Sequence, residues 1–279
     1  MRLFEYIAKI ALAMFISLTI VGPAYSANFK TSDGVSIDFE VSGEGEAFVM
    51  LHSGMMSRED MRVQIDHFSK SYQIIALDSR EQGRSSSSPE QISYDLMARD
   101  VVELLDHLNI EKANMFGQSD GGITALVAAH KYPQRLINLI IHGAVYNYTA
   151  YPAEQRQGWE NISFDQASDE DTNPQGFPGM AISHYLLSRK NLNDFDTHLQ
   201  EMSHMWATSP NLTKDDLGKI KVPTLVIVGD HWDISIPHTV VMHEALADSE
   251  LFIAPGATHY IHREKPDLLH KVIEDFLQK

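Results

Sequence analysis

The stretch Ala113-Asn114-Met115-Phe116-Gly117-Gln118-Ser119-Asp120-Gly121-Gly122 places a serine between an apolar run and the start of a helical pattern. Residues 113–116 predict a buried strand, and residues 121–130 predict a helix. The glycines two positions either side of Ser119 suit a turn so tight that side chains would collide there. A serine on such a turn is held in a strained conformation, with its hydroxyl projecting from the end of the sheet. The stretch therefore predicts a nucleophilic serine.

A serine nucleophile needs a base, and the position of His259 makes it the best candidate. The chain contains 14 histidines, so their number alone decides nothing. His259 ends the segment Pro255-Gly256-Ala257-Thr258-His259, directly after the last predicted strand and before the final helix. A loop at that point can hold an imidazole over the serine. His52 follows an early strand instead, and we interpret it as a brace for its loop.

An acid that orients the base is expected after the strand at residues 224–228. The following loop offers Asp230 and Asp233, and Asp233 precedes Pro237 by four residues, which suits a loop leading into a helix. Asp230 lies closer to the strand end and is interpreted as a carboxylate that organises the loop. We therefore predict Asp233 as the acid. The resulting order along the chain is serine, acid, histidine.

Backbone amides near the serine are expected to stabilise a negative oxygen during acyl transfer. The segment Leu51-His52-Ser53-Gly54 follows an early strand, and the amide of Gly54 is the first choice for one donor, with Met55 as the alternative. The amide of Asp120, at the positive end of the helix that follows Ser119, is the predicted second donor.

Apolar runs alternate with amphipathic stretches over residues 27–143 and 220–279, which predicts an α/β fold with a mostly parallel central sheet flanked by helices. Strands are expected at residues 35–41, 48–51, 74–77, 113–116, 136–141, 224–228 and 251–253. Residues 144–219 carry aromatic residues, Pro, Gly and an acidic cluster at residues 169–171 without a strand pattern. They are predicted to form a cap inserted over one edge of the sheet.

Residues 1–26 have the pattern of a secretory signal peptide. Arg2 and Lys9 flank its start, residues 10–21 form an uncharged apolar run, and small residues at Ala24 and Ser26 predict cleavage after Ser26. The apolar run is too short to cross a membrane, which takes about 20 residues. We therefore predict a secreted or periplasmic protein that does not contact the membrane after cleavage. The chain contains no cysteine and hence no disulfide.

The charge balance bears on possible partners and cofactors. The formal net charge is -16, from 38 acidic and 22 basic residues, which disfavours binding to nucleic acid or anionic lipid. The histidines His231, His238 and His243 lie near the predicted acid, but no Cys or carboxylate stands at ligand spacing, so no metal site is predicted. We expect a small-molecule substrate and no cofactor.

With these motifs in place, the sequence resembles the α/β-hydrolase superfamily over nearly the whole mature chain apart from the cap. The segment Asp78-Ser79-Arg80-Glu81-Gln82-Gly83-Arg84-Ser85 is similar to the family's D-x-R-G-x-G-x-S loop, with Glu81 where Gly is usual. Ser53 also stands where the family usually has Gly. The stretch Ser119-Asp120-Gly121-Gly122 is similar to that of biphenyl-hydrolase-like and valacyclovir-hydrolase-like esterases.

The resemblance implies a carboxylic ester hydrolase that works through an acyl-enzyme. A lactonase, thioesterase or carbon–carbon bond hydrolase would use the same triad of Ser119, Asp233 and His259, and a non-catalytic ligand-binding member of the fold is a further alternative. An apolar acyl pocket could be lined by Met55, Met56, Trp159, Phe164, Phe177, Met180, Tyr185, Met202, Met205 and Trp206, although these side chains could equally form the core of the cap.

Overall fold

The computed structural model describes residues 24–159, 181, 184–185, 194–232 and 234–279. Eight strands form one sheet in the order β1-β2-β4-β3-β5-β6-β7-β8. They are β1 Tyr25–Lys30, β2 Ser36–Ser42, β3 Ala47–Leu51, β4 Gln73–Leu77, β5 Ala113–Gln118, β6 Leu136–His142, β7 Thr224–Gly229 and β8 Ser249–Ala254. The pairs β1–β2 and β2–β4 are antiparallel, and all other neighbours are parallel. The predicted mostly parallel sheet is confirmed.

Helices cover both faces of this sheet. The α-helices are α1 Arg62–Phe68, α2 Tyr94–His107, α3 Asp120–Lys131, α4 Ala153–Trp159, α5 Phe195–Thr208, α6 Lys214–Leu217, α7 Ile236–Ala245, α8 Ile261–Glu264 and α9 Pro266–Leu277, with 3-10 turns at Arg58–Met61, Pro133–Arg135 and Tyr148–Ala150. On one face, α2 and α3 bury Met97, Val101 and Ile123. On the other, α1 and α9 bury Phe68 and Ile273. Each such side chain contributes about 2 kcal/mol through burial.

The strand order brings two loops of the predicted site together. The chain passes from β3 through α1 to β4 on one side of β3, and then crosses through α2 to β5 on the other side. The loops that follow β3 and β5 therefore diverge at the carboxyl end of the sheet and leave a crevice between them. Ligands bind at such a switch point in open α/β sheets. Gly54 and Ser119 lie on these two loops.

The first strand was not predicted from the sequence. β1 pairs with β2 from Tyr25 opposite Val41 to Lys30 opposite Ser36. The pair Asp33-Gly34 predicts a hairpin turn from the sequence, and Gly34 has a φ of 90° in the turn that joins the two strands. The predicted signal peptide lies outside the described residues apart from residues 24–26. Cleavage after Ser26 would leave residues 27–30 of the strand.

The segment between β6 and β7 contains no strand among its described residues. It carries α4, α5 and α6, and its predicted acidic cluster at residues 169–171 lies outside the described part of the chain. Within the described ranges, no helix is both long enough and apolar enough to cross a membrane.

Candidate active site

Ser119 occupies a strained turn between β5 and α3. Its φ of 54° and ψ of -118° lie outside the regions that L-residues normally occupy, at a cost of order 1–3 kcal/mol. The Ser119 amide donates a hydrogen bond to the carbonyl oxygen of His142 at 2.8 Å, which ties the turn to the end of β6. The side chain is half-buried, so the hydroxyl lies in a recess that solvent can still reach.

Close backbone contacts explain the glycines around this serine. A Cβ atom on Gly117 would lie 2.2 Å from the carbonyl oxygen of Gly121, and a Cβ on Gly121 would lie 2.2 Å from that of Leu51. Carbon and oxygen atoms do not approach so closely without displacing backbone. The turn is therefore packed directly against the end of β3, and this crowding accounts for the two glycines.

Three backbone amides proposed from the sequence lie at this junction. A Cβ on Gly54 would be 2.1 Å from Oδ2 of Asp120, so the loop after β3 touches the first residue of α3. Met55 is buried and adopts a left-handed φ of 61°. The amides of Gly54, Met55 and Asp120 donate no hydrogen bond to any other described residue. They are available to a substrate oxygen.

His52 holds the loop after β3 in place. Its Nε2 accepts a hydrogen bond from the Ser79 amide at 3.0 Å, so Nδ1 carries the proton and donates to the carbonyl oxygen of Ser53 at 2.7 Å. Burial lowers the pKa of His52, which keeps the imidazole neutral. Both ring nitrogens are thus used for structure.

His259 lies on the loop between β8 and α8. Its ring stacks on that of Trp232, with centroids 5.0 Å apart and 19° between the planes. On another side, a Cβ atom on Gly143 would be only 2.8 Å from its Nδ1. Burial, and to a lesser degree the neighbouring His262, lower the pKa of His259 to about 3. The imidazole is therefore neutral at pH 7 and able to accept a proton.

Gln118 contacts His259, and this contact was not predicted from the sequence. Its side-chain Nε2 donates to the backbone oxygen of His259 and lies 3.3 Å from the ring Nε2, the same distance as to the oxygen. Among the described residues, no hydrogen bond joins the Ser119 hydroxyl to His259. Such contacts are often long without substrate and tighten in the complex. The signal available in the sequence was a glutamine directly before Ser119.

The predicted acid, Asp233, lies outside the described residues. The buried Nδ1 of His259 has no hydrogen-bond partner within the described ranges, which is the atom that an orienting carboxylate would accept from. The competing candidate, Asp230, instead accepts a hydrogen bond from the Ala257 amide through Oδ1 at 3.3 Å. Asp230 therefore braces the loop that carries His259.

The side chain of Asp120 is buried beside the serine. Tyr94 donates its hydroxyl proton to Oδ1 at 2.8 Å, and the Trp206 indole donates to Oδ2 at 2.7 Å. Burial raises the pKa of Asp120 to about 6, although both hydrogen bonds act in the opposite direction. Trp206 belongs to α5, so this carboxylate connects the inserted segment to the serine turn.

The other aromatic and methionine side chains predicted to line an acyl pocket lie in different places. Trp159 packs edge-on against Tyr151, with centroids 4.8 Å apart, and against Trp206 at 5.9 Å, which forms an aromatic wall next to Asp120. Met202 and Met205 are buried in the core. Phe164, Phe177 and Met180 lie outside the described residues.

The three histidines considered for a metal site are engaged separately or exposed. His238 stacks on Tyr146 with centroids 4.4 Å apart, and His243 Nδ1 lies 2.8 Å from the Ser249 hydroxyl. The side chain of His231 is 68% exposed. They form no common ligand set in the described part of the chain.

Comparison with known proteins agrees with this architecture. Residues 46–179 match the family model described as alpha/beta hydrolase fold. The chain is similar to human serine hydrolase BPHL, at 28% identity over 96% of this chain and 94% of the relative. It is also similar to a putative esterase/lipase of Haemophilus influenzae, at 27% identity over 83% of each.

Another relative is named for a dienoate substrate. A 2-hydroxy-6-oxo-6-phenylhexa-2,4-dienoate hydrolase of Comamonas testosteroni is 28% identical over 87% of this chain and 91% of the relative. Among solved structures, the alpha/beta hydrolase MGS-M2 from a Medee basin deep-sea metagenome library superposes with a TM-score of 0.76 at 23% identity, over 91% of this chain and 98% of that chain.

Proposed function

Since this chain is a serine hydrolase of the α/β-hydrolase superfamily, we propose that it cleaves a carboxylic ester, lactone or thioester through an acyl-enzyme. The observation that carries this proposal is the strained Ser119 turn, with its φ of 54°, placed beside three amides that donate to no other described residue. A strained serine next to unused donors is the arrangement that acyl transfer needs.

In the proposed reaction, Ser119 Oγ attacks the acyl carbon while His259 Nε2 takes its proton. The carbonyl oxygen becomes negative and accepts hydrogen bonds from the amides of Asp120 and Gly54, with Met55 as the alternative to Gly54. His259 then returns the proton to the leaving oxygen. A water molecule attacks the acyl-enzyme by the same route and releases the acid and Ser119. Asp233 would accept a hydrogen bond from the Nδ1–H of His259 and fix its tautomer.

The charge around the site favours a neutral substrate. Asp120 is buried directly after Ser119 and is mainly ionised at pH 7, because its pKa of about 6 lies below that pH. A buried negative charge repels another at short range. The relative named as a dienoate hydrolase acts on a carboxylate, which this environment disfavours. Ester cleavage is therefore preferred over carbon–carbon bond cleavage.

We also propose that residues 1–26 direct export, with cleavage after Ser26, and that the mature enzyme acts outside the cytoplasm. Expression of the full chain in a bacterial host, followed by fractionation and mass spectrometry of the mature N-terminus, tests this. An N-terminus at Ala27 is expected. Retention of the full-length chain in the cytoplasm would contradict export.

The catalytic proposal is tested with aryl esters of two to twelve acyl carbons. The mature protein should hydrolyse part of the series, and Ser119→Ala should lower kcat by about 10⁴-fold or more while its far-ultraviolet circular dichroism stays unchanged. Equal rates for both proteins would contradict a role for Ser119. No turnover on any ester, with turnover on a vinylogous diketone, would favour carbon–carbon bond cleavage; no turnover on either would favour ligand binding.

A further inference from the structure

Three side chains with metal-binding atoms converge where the loop after β4 meets α5. Glu81, His198 and Glu201 each present one such atom, and these atoms all lie within 4.8 Å of one another. Glu81 and His198 are buried, and Glu201 is half-buried. His198 and Glu201 stand three residues apart on α5, so they share one face of the helix.

Glu81 and His198 are oriented by contacts outside the cluster. Glu81 Oε1 accepts a hydrogen bond from the Ser88 amide at 2.9 Å, while Oε2 lies 3.6 Å from His198 Nδ1. The His198 ring stacks on Tyr185, with centroids 5.7 Å apart and 26° between the planes. One carboxylate oxygen and one imidazole are thus directed at the same point from the core and from the inserted segment.

The cluster brings two carboxylates and one imidazole within reach of a single cation, because their donor atoms all lie within 4.8 Å of one another. Around them lies a cleft of about 220 Å³, also bordered by Asp194, Thr197 and Ser87. Within the described part of the chain, no lysine or arginine lines it.

The cleft has space to complete a coordination sphere. A water molecule needs about 30 Å³ in the liquid, so several can stand beside the three side chains. Imidazole nitrogen combined with carboxylate oxygen suits Zn²⁺, whereas Ca²⁺ and Mg²⁺ prefer oxygen ligands alone. Zinc sites with one to three protein carboxylate or imidazole ligands are completed by water.

We propose that Glu81, His198 and Glu201 form a zinc site that fastens α5 to the loop after β4. The bound ion would join two segments more than 100 residues apart in the sequence. The site uses none of the residues assigned to the acyl-transfer chemistry. Because α5 also carries Trp206, the ion would stabilise the helix whose indole contacts Asp120.

The direct test is equilibrium dialysis of the full chain against ZnCl₂ after removal of metals with EDTA. Wild type should bind one more Zn²⁺ per chain than Glu201→Gln or His198→Gln. The matched control is His231→Gln, which removes an exposed imidazole elsewhere. This control measures adventitious zinc binding, and it should still bind the zinc ion at the cluster. Equal stoichiometry in wild type and both cluster variants would overturn the proposal.

Two further measurements do not depend on the hydrolase reaction. Zinc at about 100-fold excess over its dissociation constant should raise Tm of wild type and of the control by about 5 °C, and leave Tm of Glu201→Gln unchanged. A titration of unmodified wild type with Co²⁺ should give visible absorption that saturates at one equivalent and is abolished by excess Zn²⁺. Absence of saturable absorption would contradict the site even if the variants failed to fold.

Discussion

The indole Nε1 of Trp206 donates a 2.7 Å hydrogen bond to Oδ2 of Asp120, the residue that follows Ser119. Trp206 lies on α5, between β6 and β7, whereas Asp120 is the first residue of α3. Gly54 approaches the same carboxylate oxygen from the loop after β3. One buried carboxylate therefore joins the inserted segment, the serine turn and the loop with the candidate oxyanion donors.

Trp206→Phe is expected to weaken the contact between α5 and the serine turn. It removes the indole donor and leaves Oδ2 of a buried carboxylate with one hydrogen bond fewer, at a cost of about 1–3 kcal/mol in unfolding free energy. We expect KM for aryl esters to rise more than kcat falls. Urea unfolding and steady-state kinetics measure the two effects. Trp159→Phe, which keeps the Asp120 contact, is the control and should change stability less.

Substitution of the two aspartates after β7 tests the choice of acid. Asp233→Asn should reduce kcat by about 10³- to 10⁴-fold, because the Nδ1 proton of His259 loses its carboxylate acceptor. Asp230→Asn should cost less than about tenfold, since Asp230 accepts one hydrogen bond from the Ala257 amide in the histidine loop. Kinetics on one aryl ester compare them. Similar losses in both variants would reject Asp233 as the specific acid.

Gln118→Met should reveal whether Gln118 positions the base. Methionine is similar in size but cannot donate to His259, so the ring loses the support observed at 3.3 Å. We expect kcat to fall about tenfold with KM nearly unchanged, the pattern of a lost transition-state interaction. A purely structural role would lower thermal stability without this selective change in kcat. Gln118→Asn, which retains a donor, should recover part of the rate.

Asp120 is expected to make stability depend on pH. Burial raises its pKa from 3.8 to about 6 in the folded protein, so the folded state binds more protons than the unfolded chain between these values. Stability therefore falls as pH rises through this window, by about 3 kcal/mol. Asp120→Asn should not show this fall in unfolding free energy between pH 4 and pH 6. Urea unfolding of both proteins at pH 4, 5, 6 and 7 measures it; parallel curves would show that Asp120 titrates normally.

The acid limb of kcat/KM should lie below pH 6.5. Burial lowers the pKa of His259 to about 3, and a base stops working only when pH falls through its own pKa. An orienting Asp233 would raise that pKa from this low value. The pH profile should also be measured for Asp120→Asn, because Asp120 follows Ser119 and its pKa is raised to about 6. A midpoint at or above 7 in both proteins would contradict a desolvated base.

Much of the core was predictable because its signals are local. The strand, glycine-rich turn and helix around Ser119 occupy the consecutive residues 113–131. Pro266 suits the first position of a helix, and the final helix begins there. Tight backbone contacts require glycine, and buried faces of helices and strands require periodic apolar residues. Both are visible at neighbouring positions of the sequence. The fold class followed from repeating that pattern along the chain.

Contacts between distant segments were not predictable in the same way. Ser57 followed by Asp60 predicts a capping box, but the Ser57 hydroxyl lies 2.7 Å from His184 Nδ1 and makes no cap hydrogen bond. Trp206 reaches Asp120 across 86 residues. A residue's type shows that it needs a partner, whereas only the tertiary structure decides which partner it meets.

The 2.8 Å clearance between His259 Nδ1 and a Cβ on Gly143 has an evolutionary consequence. Gly143 also has a φ of 59°, so even alanine would be strained there and would push the imidazole aside. A lineage that keeps this geometry is therefore expected to keep glycine at position 143. Loss of that glycine in a descendant is expected to weaken hydrolysis while the fold is kept.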